Sequence, residues 1–346
     1  MDEKVVAIVQ IILDRQPAGI GATGAVVATR MGGETRIVAP ARSGVPPPFQ
    51  RDSRFLLYSF TKTLVAAALL RLVAEGHLSL QDTLERWWPE VPPAKRLTLR
   101  NVMLHASGLP NYGDIADYHA AVRAASPPWS ESEFLRRTNA GELLFEPGTA
   151  WAYSNIGYML LRRVLAAVGN GDMETVLRRL IFDPLEITSA SVPVAKPDLA
   201  SFTFGLSRYL GGDGPPVAVR EHYDPGWIAT GVVGASAADA ARLLSGILQT
   251  LLPLPLRDEM MRQAARFRGP FPGRPWRLPA YGLGLMIDLD EERGPIYGHT
   301  GSGPGCSPAV YHFPTRSPPL TIAVATDGED QSLAEDIVLA VAACMP

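Results

Sequence analysis

The sequence predicts an α/β fold with an all-α part: an antiparallel sheet flanked by helices, into which a helical domain is inserted. Strand-like runs lie near both ends of the chain, at residues 25–29, 35–39, 281–289, 308–313 and 319–326. Between them, from residue 79 to 225, helical segments alternate with loops. Hydrophobic residues make up 47% of the 346 residues, which is enough apolar material for a sizeable core.

These runs also predict the domain boundaries. We expect residues 1–78 and 226–346 to form the α/β domain from both termini, residues 79–225 to form the helical domain, and an active site to lie in the cleft between them. The first two strands form a hairpin around Gly32-Gly33, and an apolar run leads into Ser59. The predicted helices are 4–15, 60–75, 98–105, 131–138, 156–168, 173–181 and 331–343, with a flexible break at 211–216.

Charge and cysteine content exclude several classes of protein. The net charge is −3, and the sequence contains no long block of basic residues. This balance gives no support to nucleic-acid binding or to a polybasic membrane anchor. Two cysteines, Cys306 and Cys344, exclude a disulfide framework but leave one bridge open. No metal site or cofactor is predicted, because the six histidines contain no H-x-x-x-H pair.

The N-terminal residues carry no recognisable export signal. Their apolar run lacks a basic start and a small-residue cleavage site, which predicts a cytoplasmic protein without membrane insertion. A chain shortened at its N-terminus would leave a periplasmic location open. The oligomeric state does not follow from the sequence.

Ser59 and Lys62 form the first candidate catalytic pair. Three residues apart at the start of a predicted helix, their side chains share one helical face. A desolvated lysine can remove the proton of a serine hydroxyl, and a helix N-terminus stabilises an oxyanion. The competing interpretation is a helix cap followed by a solvated lysine, but the apolar residues that follow Lys62 favour burial.

Tyr153 and Asn155 precede an apolar helix. A phenol beside a lysine ammonium has its pKa lowered, so Tyr153 would move a proton between Ser59 and a leaving group. Asn155 would donate its amide to a substrate carbonyl. The alternative is that Ser154 or Asn155 only caps the helix.

The segment Gly298 to Gly305 is the third candidate. Its glycines allow a substrate to approach closely, and the N–H of Ser302 would supply half of an oxyanion hole. A phosphate-binding loop fits poorly, since neither G-x-G-x-x-G nor a following Lys-Ser/Thr is present.

These motifs stand in the order Ser-x-x-Lys, Tyr-x-Asn, His-Thr-Gly, and the chain thereby resembles the penicillin-recognising serine hydrolases. That group includes class C β-lactamases, D-Ala-D-Ala carboxypeptidases and β-lactamase-like esterases. Four further stretches are similar to landmarks of these proteins: 72–82, 105–110, 145–149 and 281–284. The resemblance implies the same two-part β-lactamase/transpeptidase-like fold.

The resemblance also implies roles for individual residues. Ser59 would be the nucleophile, and Lys62 and Tyr153 would handle its proton. The N–H groups of Ser59 and Ser302 would form the oxyanion hole, while the predicted substrate-binding residues are Asn155, His299, Gly301 and Tyr112. His299 stands where class C β-lactamases usually carry lysine, and a neutral histidine attracts a substrate carboxylate less.

The sequence therefore predicts a serine hydrolase that cleaves a small ester or amide through an acyl-enzyme, most in keeping with a β-lactamase-like esterase. The alternatives are a class C-type β-lactamase or D-Ala-D-Ala carboxypeptidase, and a penicillin-binding sensor or scaffold that acylates without turnover. His105 is interpreted as a structural histidine, and Tyr112 either reaches the substrate or is a surface aromatic.

Overall fold

The computed structural model describes residues 1–17, 21–262, 265–267 and 269–346. Its strands are β1 (Ala25–Met31), β2 (Glu34–Val38), β3 (Arg54–Leu56), β4 (Leu206–Ser207), β5 (Val217–Ala218), β6 (Gly234–Ser236), β7 (Ala265–Arg266), β8 (Pro279–Tyr281), β9 (Met286–Asp288), β10 (Ile296–Thr300), β11 (Ser307–Phe313) and β12 (Leu320–Thr326). Eight of them form an antiparallel sheet in the order β2-β1-β12-β11-β10-β9-β8-β7. The other four form two small pairs, β3 with β6 and β4 with β5.

Helices cover both faces of this sheet and fill the middle of the chain. They are α1 (Asp2–Asp14), α2 (Thr61–Ala74), α3 (Leu99–Met103), α4 (Ala116–Arg123), α5 (Glu131–Arg137), α6 (Asn155–Gly169), α7 (Met173–Leu177), α8 (Arg208–Gly211), α9 (Val219–His222), α10 (Ala237–Gly246), α11 (Leu254–Met261) and α12 (Gln331–Cys344). Among the residues described, no helix is both long enough and apolar enough to cross a bilayer.

The core has two parts, one on each face of the sheet. On β12, Ile322 and Val324 pack in the cluster that contains α1 and α12, while Ala323 and Ala325 pack in the cluster that contains α10. Because both faces are covered, every residue of the strand is buried and all but Thr321 and Thr326 are apolar, as expected for a strand without a solvent face. The larger cluster continues from α10 into α2 and α6, which carry the candidate catalytic residue Lys62 and the candidate substrate-binding residue Asn155.

Most predicted elements are confirmed within a few residues. The first hairpin turns at Gly32 and Gly33, whose φ angles of 57° and 87° suit glycine. Helix α2 ends at Ala74, two residues before Gly76, and α12 closes the chain. The fold class is confirmed, whereas the boundaries of the two domains stay a prediction.

The strand expected at 281–289 is wrong. This segment contributes to two strands, β8 and β9, joined by a turn at residues 282–285. Gly284 lies there with φ 69°, and a Cβ on it would approach the Lys62 carbonyl oxygen to 2.9 Å. The turn thus packs directly on α2. Strand β10, which carries His299, was not predicted.

Candidate active site

Ser59 lies in a single 3-10 turn between β3 and α2. The preceding residue, Tyr58, has φ 43°, a conformation that costs energy for a residue with a side chain. Its buried ring packs against Gly303, and its hydroxyl donates a hydrogen bond of 2.8 Å to the carbonyl oxygen of Pro304. These contacts hold the strained turn, and Ser59 lines both of the cavities described below.

Ser59, Lys62 and Tyr153 meet in the structure. Nζ of Lys62 lies 3.1 Å from Ser59 Oγ, as the helical spacing predicts, and the Tyr153 hydroxyl donates a 2.9 Å hydrogen bond to the same oxygen. The Lys62 amine also lies 5.0 Å from the centre of the Tyr153 ring. One serine oxygen is therefore within reach of both an amine and a phenol.

Burial sets the protonation states of these two groups. Lys62 is only 2% exposed, and burial lowers its pKa to about 7, so that near neutral pH much of it is an uncharged amine. Burial raises the pKa of Tyr153, and this outweighs the hydrogen bond to Ser59 that lowers it. The predicted lowering of the Tyr153 pKa is wrong, because desolvation of the half-buried phenol outweighs the interactions that would lower its pKa.

His105 supports Tyr153 from behind. It is fully buried, its ring centre lies 4.2 Å from that of Tyr153, and its Nδ1 accepts the backbone N–H of Ser154 at 3.1 Å. The interpretation as a structural histidine bonded to nearby backbone is confirmed for Nδ1, whereas Nε2 has no hydrogen-bond partner among the described residues. Burial holds the pKa of His105 well below its usual range, so the ring is neutral.

His299 does not reach the cleft. Its imidazole is fully buried, Nδ1 lies 2.7 Å from the carbonyl oxygen of Thr300, and Nε2 lies 3.0 Å from the Tyr281 hydroxyl. The expected direct contact of this side chain with substrate has no support in the structure, since His299 lines neither cavity described below. Burial and the Lys62 charge lower its pKa to about 3, in agreement with a neutral ring.

Gly301 and Ser302 connect β10 to the nucleophile turn. A Cβ on Gly301 would lie 2.6 Å from the Leu57 carbonyl oxygen and 2.9 Å from the Ser59 amide nitrogen. Gly301 therefore packs closely against the Ser59 turn, and its predicted contact with substrate stays a prediction. Ser302 is exposed, and its hydroxyl donates to the Glu329 carbonyl oxygen at 2.9 Å. The oxyanion hole formed by the Ser59 and Ser302 amides stays a prediction.

Asn155 begins α6, but it is not the cap. Ser154 is the N-cap, and its hydroxyl accepts the Gly157 N–H at 3.0 Å. The Asn155 amide donates to Oδ1 of Asn111 at 3.0 Å, which fixes its orientation. Tyr112 is buried and lines a cavity together with Asn155, so the surface interpretation of Tyr112 is wrong.

Two cavities meet at Ser59 and Ser302. The first, of about 330 Å³, contains both Lys62 and Asn155 in its wall, and we call it the tyrosine cavity. The second, of about 340 Å³, includes Tyr153, and we call it the tryptophan cavity. The tyrosine cavity is named for Tyr112, Tyr118, Tyr209 and Tyr223, and the tryptophan cavity for Trp151 and Trp276, beside Phe267 and Phe271.

An ion pair that the sequence did not predict lies at the tryptophan cavity. Arg274 lines the cavity and binds Glu335, which is fully buried on α12. Thr300 donates its hydroxyl to the same carboxylate. Two adjacent carboxylates, Glu335 and Asp336, within the otherwise apolar closing helix were the one available signal.

Neither cysteine competes for the role of nucleophile. Cys306 and Cys344 are both free thiols. Cys306 is buried, and burial raises the pKa of its thiol, so it stays protonated and unreactive. In the described part of the chain, no three His, Cys, Asp or Glu side chains are grouped as metal ligands.

A serine within hydrogen-bond distance of both a buried amine and a phenol defines the class of serine hydrolases that use Ser-x-x-Lys. A profile of the beta-lactamase family matches residues 10–344, and the chain belongs to this family. The enzyme is a serine hydrolase of that family.

The chain is also similar to individual proteins. It is 27% identical to the esterase EstB of Burkholderia gladioli over 303 residues, which cover 73% of this chain and 74% of EstB. Identity to penicillin-binding protein 4* of Bacillus subtilis is 23%, over 77% of this chain and 59% of that protein. The D-stereospecific amidohydrolase of a Streptomyces species superposes with a TM-score of 0.80 at 25% identity, covering 96% of this chain and 97% of the other.

Proposed function

We propose that the protein is an esterase that hydrolyses small carboxylic esters through an acyl-enzyme on Ser59. The observation that carries the proposal is the position of Ser59 Oγ, which lies within hydrogen-bond distance of both the Lys62 amine and the Tyr153 hydroxyl. A serine hydroxyl needs such a base before it attacks a carbonyl carbon. The similarity to EstB, whose name states esterase activity, supports the same chemistry here.

Acylation begins with the neutral amine of Lys62. It takes the proton of Ser59 as Oγ bonds to the carbonyl carbon, and the negative charge that develops on the carbonyl oxygen faces the Ser59 and Ser302 amides. Tyr153 retains its proton at neutral pH because burial raises its pKa. It donates that proton to the leaving oxygen as the ester bond breaks, and the phenolate recovers a proton from the Lys62 ammonium.

Water then hydrolyses the acyl-enzyme by the reverse route. Tyr153 passes its proton to the Lys62 amine, and the resulting phenolate takes a proton from the attacking water as its oxygen bonds to the acyl carbon. The Lys62 ammonium then returns a proton to Oγ as Ser59 leaves. Asn155, oriented by Asn111, is placed to donate its amide to the acyl part of the substrate. The products are a carboxylic acid and an alcohol, and the site returns to its starting protonation state.

The charge of the site favours esters over β-lactams and D-Ala peptides. Those two substrates carry a carboxylate, and His299, buried and neutral, offers it no positive charge.

Amide hydrolysis is the second candidate, because an amine leaving group requires a proton and Tyr153 holds one. The similarity to the D-stereospecific amidohydrolase supports this candidate. The cytoplasmic location stays a prediction.

The proposal is tested by parallel assays with p-nitrophenyl butyrate, nitrocefin, a D-Ala-D-Ala peptide and D-phenylalanine amide. We expect many turnovers of the butyrate ester, with a butyryl adduct on Ser59 detected by intact-mass and peptide mass spectrometry. Consumption of nitrocefin alone would establish a β-lactamase instead. A single burst without turnover would indicate the sensor or scaffold.

Serine variants complete the test. Ser59→Ala should remove both turnover and the adduct, while Ser79→Ala, which alters an exposed serine of a distant loop, should retain both. Turnover by a folded Ser59→Ala protein would exclude Ser59 as the nucleophile.

A further inference from the structure

The two cavities can be assigned to the two halves of a substrate, an assignment that rests on the proposed function. Tyr153 lines the tryptophan cavity, whereas Lys62 and Asn155 line the tyrosine cavity. Since Tyr153 protonates the leaving atom, the leaving group must extend into the cavity that Tyr153 faces. The acyl group then occupies the tyrosine cavity, next to Asn155.

The tryptophan cavity combines an apolar wall with one internally compensated charge. Arg274 is the one charged side chain among its described lining residues. Two nitrogens of its guanidinium, Nε and Nη2, both bind the carboxylate of Glu335. Glu335 is 0% exposed and Arg274 14% exposed, so the carboxylate lies behind the guanidinium, away from solvent.

Glu335 is held firmly in this position. Its carboxylate also accepts the Thr300 hydroxyl, and the Tyr311 hydroxyl lies 3.4 Å from Oε1. A substrate carboxylate that approached Arg274 would be attracted by the guanidinium and repelled by the Glu335 carboxylate behind it. The repulsion acts over a longer distance and therefore offsets part of the attraction. The cost of removing that carboxylate from water would remain.

His299, the histidine of the His-Thr-Gly motif, does not add a positive charge to the tryptophan cavity. His299 donates from Nδ1 to the Thr300 carbonyl oxygen and accepts at Nε2 from Tyr281, which is the neutral tautomer. Both ring nitrogens are occupied within the protein. The described wall of the tryptophan cavity thus carries no net charge.

We propose that Glu335 is a specificity-determining residue. By neutralising Arg274, it makes the leaving-group cavity select uncharged, apolar alcohols and reject leaving groups that carry a carboxylate. The preferred substrates are then esters of aromatic or bulky apolar alcohols.

The test uses two esters that share an acyl group and differ in one charge: 4-(methoxycarbonyl)phenyl butyrate and 4-carboxyphenyl butyrate. The measured quantity is the ratio of kcat/KM for the neutral ester to that for the carboxylate ester. We expect a wild-type ratio of about 100 or more, corresponding to about 2.7 kcal/mol of discrimination. Equal rates on the two esters would overturn the inference without touching the proposed function. Failure to turn over either ester would overturn the proposed function and the inference with it.

Single variants test the role of each charge. Glu335→Gln leaves Arg274 uncompensated and should lower the ratio by about tenfold or more, whereas Arg274→Gln leaves a negative charge and should raise it by about tenfold. A purely structural role would reduce kcat/KM for both esters and leave the ratio unchanged. Since a buried charge without its partner can prevent folding, either single variant that folds suffices for this comparison.

The double variant Arg274→Gln/Glu335→Gln and a remote pair serve as controls. The double variant again has no net charge, and its ratio should return to within about threefold of the wild type. Glu259→Gln removes a partly buried ion pair with Arg100 that lines neither cavity, and it should not change the ratio. A ratio in the double variant as low as in Glu335→Gln would mean that side-chain shape, not charge, selects the leaving group.

Discussion

The Tyr153 hydroxyl donates a 2.9 Å hydrogen bond to Ser59 Oγ although the two residues are 94 positions apart. The contact is held from both sides: the strained turn at Tyr58 fixes Ser59, and the centre of the tilted His105 ring lies 4.2 Å from that of the Tyr153 ring. Burial keeps the phenol protonated, and the role proposed for Tyr153 is to donate this proton to the leaving atom.

Removal of the Tyr153 hydroxyl should therefore matter most for poor leaving groups. We expect Tyr153→Phe to lower kcat/KM for an alkyl ester such as ethyl butyrate by about 10²- to 10⁴-fold, the range typical of general acid catalysis. For p-nitrophenyl butyrate the loss should be at least about tenfold smaller, because p-nitrophenolate leaves without a proton. Steady-state kinetics on the two esters measure the difference.

Tyr158→Phe is the matched control for that experiment. Its hydroxyl is also buried but donates to the Met103 carbonyl oxygen at 2.8 Å. The control should show equal changes for both esters. If Tyr153→Phe also affected both esters equally, Tyr153 would only position Ser59.

The lowered pKa of Lys62 predicts the pH dependence of acylation. Because only the neutral amine can accept the Ser59 proton, kcat/KM should rise about tenfold per pH unit below pH 7 and level off above it, with a midpoint set by the pKa of about 7. A profile of p-nitrophenyl butyrate hydrolysis between pH 5 and 9 measures this midpoint. A midpoint near pH 10 would show that Lys62 is not desolvated.

Lys62→Ala should remove the pH-dependent rise together with most of the activity. We expect a loss of about 10³-fold or more in acylation rate, while circular dichroism shows an intact fold. Near-wild-type rates in a folded Lys62→Ala protein would refute its role as the base.

Burial of Lys62 should also reduce stability in a pH-dependent way. Its pKa falls from 10.5 in the unfolded chain to about 7 in the folded protein, so between these values the unfolded state binds more protons and stability rises with pH. Below pH 7 the penalty is complete, and it is at most about 5 kcal/mol. Lys62→Met should therefore raise Tm, and by about 5 °C more at pH 6 than at pH 9.5.

Calorimetry of both proteins at the two pH values gives this difference directly. All other titrating groups are common to the two proteins, so their contributions cancel. A Tm gain that is equal at both pH values would indicate that the folded protein does not perturb Lys62.

The sequence predicted local features of the site better than distant ones. The Ser59–Lys62 contact follows from helical spacing alone, and the burial of Lys62 follows from its apolar neighbours. The meeting of Tyr153 with Ser59 depends on how α6 packs against α2, and only the order of the motifs, through the family resemblance, indicated it. Strand β10 was missed because its sequence, Ile296–Thr300, contains a glycine and a histidine that weaken strand patterns.

Side-chain environment was the least predictable feature. The sequence interpretation gave His299 its unperturbed pKa and took the Tyr153 pKa from the charge of Lys62 alone. Burial instead lowers the pKa of His299 and raises the pKa of Tyr153. The Arg274–Glu335 pair joins two segments 61 residues apart. Nothing in the local sequence of either residue fixes that contact, because it depends on the packing of α12 against the sheet.

Gly301 offers a test of how tightly the third motif packs on the nucleophile. A methyl group at this position would lie 2.6 Å from the Leu57 carbonyl oxygen and 2.9 Å from the Ser59 amide nitrogen, both backbone atoms that cannot move without shifting the turn. We expect Gly301→Ala to lower kcat by more than about tenfold, since small displacements of a nucleophile are costly. The same substitution should lower Tm, because overpacking typically costs about 1–3 kcal/mol.

Gly141→Ala provides the comparison for Gly301→Ala. Gly141 is exposed, and a Cβ there would approach no nearer than 3.8 Å, to the Pro92 ring. Gly141→Ala should leave kcat within about twofold of the wild type, as expected for a surface substitution. If Gly301→Ala retained full kcat with p-nitrophenyl butyrate, the close packing of β10 on the Ser59 turn would not be needed to position the nucleophile, and the motif glycine would serve folding alone.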